Sequence, residues 1–126
     1  MLDESTAYTV LPVSDLERAR AFYRDKLGLE ATMEKPGTLA YSGPSGFVFI
    51  LYETSYAGTA QTTQMCFATG DLKAEMKELR DRGVVFEEYD FPGLKTDDGI
   101  AAVGGELSAW FKDSEGNTIC VSQDVT

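Results

Sequence analysis

The sequence contains no histidine. That absence takes the commonest metal ligand and the commonest general base out of its chemistry together. Basic residues are scarce, with 11 Lys and Arg against 21 Asp and Glu and a net charge of −10. Nucleic acid is therefore not an expected partner, because phosphate contacts need a basic surface. The same negative field raises the local concentration of cationic ligands, although solubility alone also accounts for it. No apolar run approaches the roughly 20 residues needed to span a bilayer, so no membrane partner is expected. The opening residues, Met1-Leu2-Asp3-Glu4-Ser5-Thr6, lack the basic and apolar regions of a signal peptide. The cytoplasm is the default expectation, and the only two cysteines, Cys66 and Cys120, are expected as reduced thiols.

What remains is an ordinary globular composition, 43% hydrophobic and 25% charged over 126 residues. This length suits one domain or two tightly fused half-modules. Residues 6–13 alternate as a strand, with Thr9, Leu11 and Val13 on one face. Ser14-Asp15-Leu16-Glu17 has the pattern of a capping box in which Glu17 reaches back to the first turn. Leu16, Ala19, Tyr23 and Leu27 recur at helical spacing, and Gly28 is placed to stop that helix. Three short strands are expected at 29–33, 38–42 and 46–53, separated by Pro36-Gly37 and Gly43-Pro44-Ser45-Gly46. The order is β-α-β-β-β.

A polar stretch at 54–62 reads as a linker. The pattern then begins again. A strand at 63–68 precedes a helix opened by Asp71, with Leu72, Met76 and Leu79 on one face and Gly83 at its end. Strands are expected at 84–89, 107–112 and 117–122, the last two joined by a turn at Asp113-Ser114-Glu115-Gly116. Asp15-Leu16 matches Asp71-Leu72, and Arg24-Asp25 matches Arg80-Asp81, both at an offset of 56. Gly46 matches Gly116 at an offset of 70, which pairs Phe49 with Ile119 and Ile50 with Cys120. The segment 89–105 is longer than its counterpart, and reads either as a functional loop or as a variable surface loop. A single α+β domain over 1–126 is expected, with module one at about 5–54, the linker at about 55–62 and module two at about 63–126.

A tandem βαβββ repeat of this length resembles the vicinal oxygen chelate superfamily, which includes glyoxalase I, extradiol dioxygenases and bleomycin-binding proteins. The residues that carry the resemblance run from Tyr8-Thr9-Val10-Leu11-Pro12-Val13 to Ala21-Phe22-Tyr23 and Leu27-Gly28-Leu29. The closing Trp110-Phe111-Lys112-Asp113-Ser114-Glu115-Gly116-Asn117 is similar to the Phe-x-Asp-x-x-Gly-Asn hairpin of that family. The resemblance implies two modules whose mixed strands roll into one cup, completed by a homodimer. It also implies metal ligands seven residues before each helix-opening Asp and on the last strand of each module. Those positions hold Tyr8, Gln64, Ile50 and Cys120. Ile50 has no donor, Tyr8 is a phenol and Gln64 a weak ligand, so no metal and no cofactor is expected.

Strand parity then gives the lining of the cup: Tyr8, Val10, Val48, Ile50, Tyr52, Gln64, Cys66, Trp110 and Cys120. An apolar, aromatic surface with few polar groups suits a small-molecule ligand. Trp110 is the expected stacking group for a planar or cationic molecule. No Ser-His, Cys-His or paired-carboxylate arrangement is legible, so no catalytic residue is named. The leading expectation is a binding protein that sequesters an aromatic or cationic compound. The alternative is a glyoxalase- or dioxygenase-type enzyme with a relocated metal or metal-free acid–base chemistry.

Overall fold

β1, Thr9–Val13, buries Leu11 and Val13 completely and turns Val10 to the other side. That alternation decides which face of its sheet a helix must cover. A computed structural model describes residues 1–126. After a short 3₁₀ turn at Leu2–Glu4, the first module continues through α1 (Leu16–Leu27), β2 (Met33–Lys35), β3 (Thr38–Ser42) and β4 (Val48–Glu53). The second module holds β5 (Thr63–Ala68), α2 (Leu72–Asp81), β6 (Asp90–Phe91), β7 (Leu94–Lys95), β8 (Ala101–Val103), β9 (Glu106–Lys112) and β10 (Thr118–Asp124).

The fold is α+β, with two four-stranded mixed sheets and two helices. The first sheet has the order β1-β4-β3-β2 and the second β5-β10-β9-β8. β1 runs parallel to β4, and β5 runs parallel to β10. The sequence offsets reappear in these registers. Val10 opposes Ile50 just as Cys66 opposes Cys120. The helices also begin alike, with the Asp15 carboxylate accepting from Arg18 N at 3.0 Å and that of Asp71 from Ala74 N at 3.1 Å. Each caps an otherwise unpaired amide of the first turn.

Three local expectations are corrected. Asp15, not Ser14, caps α1, and Glu17 pairs with Arg20 instead of reaching back. Residues 29–32 are not a strand. Gly28, at φ 71°, turns the chain out of the helix, and Leu29 N donates to Tyr23 O, so pairing with β3 starts only at Thr32. Residues 84–89 form no continuous strand. Phe86 bridges Phe111 and Glu87 N donates to Trp110 O, after which the chain leaves the sheet. The free edge of β9 is taken instead by β8, from within the long 89–105 segment.

The helix-facing sides of both sheets share one core. It runs from Leu11, Tyr23, Tyr41, Phe49 and Leu51 to Met76, Phe111, Ile119 and Val121. Tyr41 and Phe49 stack at 4.8 Å, and Phe67 of β5 meets Phe49 edge-on at 6.1 Å. This continuous packing fixes the two sheets relative to each other.

The turn between β9 and β10 ties the modules together by polar contacts. The buried Asp113 accepts from Tyr23 Oη at 2.8 Å and from Asn117 N at 2.9 Å. Asn117 Nδ2 donates to Pro12 O of β1 at 2.9 Å. Glu115 accepts from Ser14 N at 2.9 Å, Asp15 N at 3.0 Å and Arg18 Nε at 2.8 Å. Burial pushes its carboxyl up, but the Arg18 guanidinium, the Ser114 hydroxyl and the two amides outweigh that and hold it at about 2. Gly116, at φ 85°, lies so close to the linker that a β-carbon there would sit 3.0 Å from Gly58 Cα.

Candidate functional site

The face of the first sheet turned away from the helices is apolar and uncovered. In register across it stand Val10, Ile50, Ala40 and Met33, with Pro12, Tyr52 and Thr38 in the next row. Tyr8, Val10, Met33, Val48 and Tyr52 are all exposed large apolar side chains, between 40% and 58% accessible. Grouped exposure of this kind on one sheet face differs from the scattered apolar residues of any protein surface. At the edge of this face a cleft of about 440 Å³ is lined by Tyr8, Val48 and Phe47 of module one and by Met65, Cys66 and Phe67 of module two.

The equivalent face of the second sheet is covered by the protein itself around Trp110 and left open at Cys66. Trp110, Cys120 and Cys66 lie in one row across β9, β10 and β5. Tyr89 meets the Trp110 ring edge-on at 5.6 Å, and Phe91 stacks on Tyr89 at 5.7 Å. The segment that delivers them is held by the buried Thr96, whose hydroxyl accepts from Tyr89 N at 2.8 Å. Trp110 Nε1 donates to Thr63 Oγ1 at 3.0 Å. Burial is the main cause that raises the Tyr89 phenol above its ordinary value, with Glu87 and Cys120 adding to it.

The residues named from the sequence thus fall into two groups. Tyr8 and Val48 share the cleft, and Ile50 and Tyr52 extend the same open face. Trp110 and Cys120 lie side by side on the second sheet, under Tyr89. Gln64 stands at a bulge, where the register steps from Thr63↔Thr118 to Met65↔Ile119. Its amide oxygen accepts from Thr118 N at 3.1 Å, so it completes the irregular ladder. The same bulge brings Thr63 onto Trp110. Tyr89, Phe91 and Thr63 were not legible as site residues. The only available signal for the first two was the length and aromatic content of the 89–105 segment.

The four positions where the resemblance implies metal ligands do not fit a metal. Ile50 offers no donor atom, and the Gln64 oxygen is already engaged. Cys120 is buried, and with Ile50 apolar and the Gln64 oxygen engaged it has no strong donor beside it to complete a metal site. No cluster of three or more His, Cys, Asp or Glu side chains with metal-binding geometry occurs in the fold.

The sequence model of the Glyoxalase/Bleomycin resistance protein/Dioxygenase superfamily matches residues 5–121, nearly the whole of both modules. The chain belongs to this superfamily. Solved structures agree. A protein from the mobile metagenome of V. Pseudocholerae, VPC_CASS1, is 26% identical, with 95% of this chain and 94% of that one covered and a TM-score of 0.65. TnmS3, an antibiotic binding protein from Streptomyces sp. CB03234, is 22% identical over 95% of this chain and 98% of its own, with a TM-score of 0.66. A glyoxalase/bleomycin resistance protein/dioxygenase from Nocardioides reaches a TM-score of 0.69 at 19% identity, covering 97% and 85% of the two chains. No curated protein matches the sequence. No helix is long and apolar enough to cross a membrane.

Proposed function

We propose that this protein binds and sequesters a small aromatic or cationic molecule, without using a metal. The observation that carries the reading is the uncovered apolar face of the first sheet, with Tyr8, Val48, Ile50 and Tyr52 beside a cleft large enough for a small ligand. The likeness in fold to an antibiotic binding protein supports it, as does the net charge of −10, which attracts cations. Chemistry is disfavoured by the residues themselves. The set has no imidazole and no activated thiol, Ile50 is apolar and the Gln64 oxygen is already bonded.

An apolar face of this extent also calls for a partner surface. A homodimer in which a second chain closes over the face would enclose the ligand. Sedimentation at micromolar concentration checks this part, and a strict monomer would rule it out.

Binding is tested by titrating planar basic and planar neutral compounds, following the emission of Trp110, the only tryptophan, alongside calorimetry. Saturable binding that is weakened about tenfold in Val48→Arg supports the assignment. Absence of heat and of any emission change across both compound classes would refute it, and so would binding that Val48→Arg leaves intact.

A further inference from the structure

Cys66 and Cys120 are directly opposed on the parallel strands β5 and β10. Register partners point to the same face of a sheet, so both thiols lie on the side away from the core. Neighbouring strands are spaced by about 4.8 Å, which falls inside the range of about 4.4–6.8 Å seen between the α-carbons of bridged cysteines. Cys66 is exposed at the wall of the cleft, on the edge strand, whereas Cys120 is buried one strand further in. A serine hydroxyl approaches each thiol. Cys66 Sγ lies 3.3 Å from Ser122 Oγ, and Ser108 hydrogen-bonds Cys120.

We infer that Cys66 and Cys120 form a reversible oxidation site, in which a low-molecular-weight disulfide converts the two thiols to an internal disulfide across the β5–β10 ladder. Cys66 reacts first because it alone is accessible. Its thiol gives a proton to solvent, and the sulfur attacks the small disulfide. The S–S bond of that molecule breaks, and the first leaving thiolate takes up a proton. Cys120 then loses its proton and attacks Cys66 Sγ. The mixed disulfide breaks and releases the second small thiol. The protein is oxidised by two electrons and the small disulfide is reduced to two thiols, so atoms and charges balance.

Several features of the pair agree with this order of events. Burial and the neighbouring thiol keep Cys120 protonated, which makes the second step the slower one. Trp110 is the register partner of Cys120 on the opposite side, so it reports on the event. The bond also removes the Cys66 thiol from the wall of the cleft and pins the edge strand there.

The test exposes the full-length reduced protein to glutathione disulfide and follows intact mass, thiol count after denaturation and Trp110 emission. The expected end product is a chain not crosslinked to another and lighter by two hydrogens, with no free thiol, no adduct and altered emission, restored by dithiothreitol. In Cys120→Ala, the glutathione adduct on Cys66 becomes the end product instead of an intermediate. In Cys66→Ala, Cys120 stays free while the protein is folded. Since Cys66 is exposed, that second variant keeps the test valid if the first fails to fold. A native chain that ends as a stable adduct, as a dimer linked by an intermolecular disulfide or with both thiols free would overturn the assignment.

Discussion

The two sheets of this protein share a topology and differ in what lies on their outer faces. On the first, β2 follows α1 closely and stays at the sheet edge, and Val10, Val48 and Tyr52 face solvent. On the second, the chain after α2 makes one bridge at Phe86 and then sets Tyr89 against Trp110, with Phe91 stacked on Tyr89. A duplicated fold therefore carries one open surface and one that it covers in part from its own sequence. The lesson is that strand parity identifies which residues point to a face, whereas the connections decide whether that face is free.

The comparison depends on the two modules staying in register, and Asp113 is where it breaks most easily. Asp113→Ala leaves the buried Tyr23 hydroxyl and the Asn117 amide nitrogen without their acceptor. A loss of about 3–5 kcal/mol is expected, read as a lower midpoint in urea unfolding. Acid acts on the same joint. The Glu115 carboxyl stands at about 2 in the folded chain against an ordinary 4.5. Its contribution is fully present above pH 4.5 and is lost as pH falls towards 2. That amounts to roughly 2–3 kcal/mol, and Glu115→Gln should flatten the fall in stability over this window.

The open face is sharpened by Val48→Arg, which should weaken binding of a cationic planar compound about tenfold while leaving the unfolding midpoint nearly unchanged, since the position is surface-exposed. The closed face gives the smallest effect. Tyr89→Ala removes the edge-on contact to Trp110, at about 1 kcal/mol. It should make Trp110 more accessible to a neutral quencher such as acrylamide. Unchanged quenching would mean that Tyr89 is not the cover of this face.

Much of this architecture was legible because it is periodic. Leu11, Val13, Phe49 and Leu51 alternate with exposed or half-buried neighbours, and a period of two identifies the buried side without further information. The two helix caps repeat at a fixed offset because each solves the same problem of unpaired amides. Gln64 escaped the parity argument because one extra residue at a bulge changes the partners of everything before it. Tyr89 escaped because its position follows from the path of a loop, which no periodicity encodes. Asp113 and Glu115 were recognised as part of a hairpin. Their use as acceptors for a helix in the other module depends on contacts about a hundred residues apart, which a local pattern cannot express.

That separation has a consequence for how the chain is made. The amides of Ser14 and Asp15 at the start of α1 find their acceptor in Glu115, 101 and 100 residues further on. On a ribosome, where the amino-terminal part of a chain emerges first, the first module is exposed long before that acceptor exists. Its local contacts can form early, but the closure between modules awaits the β9–β10 turn, and loop-closure entropy makes such distant pairing slow. The open apolar face is then uncovered throughout synthesis. This interval, rather than the finished fold, is when the chain is most exposed to aggregation.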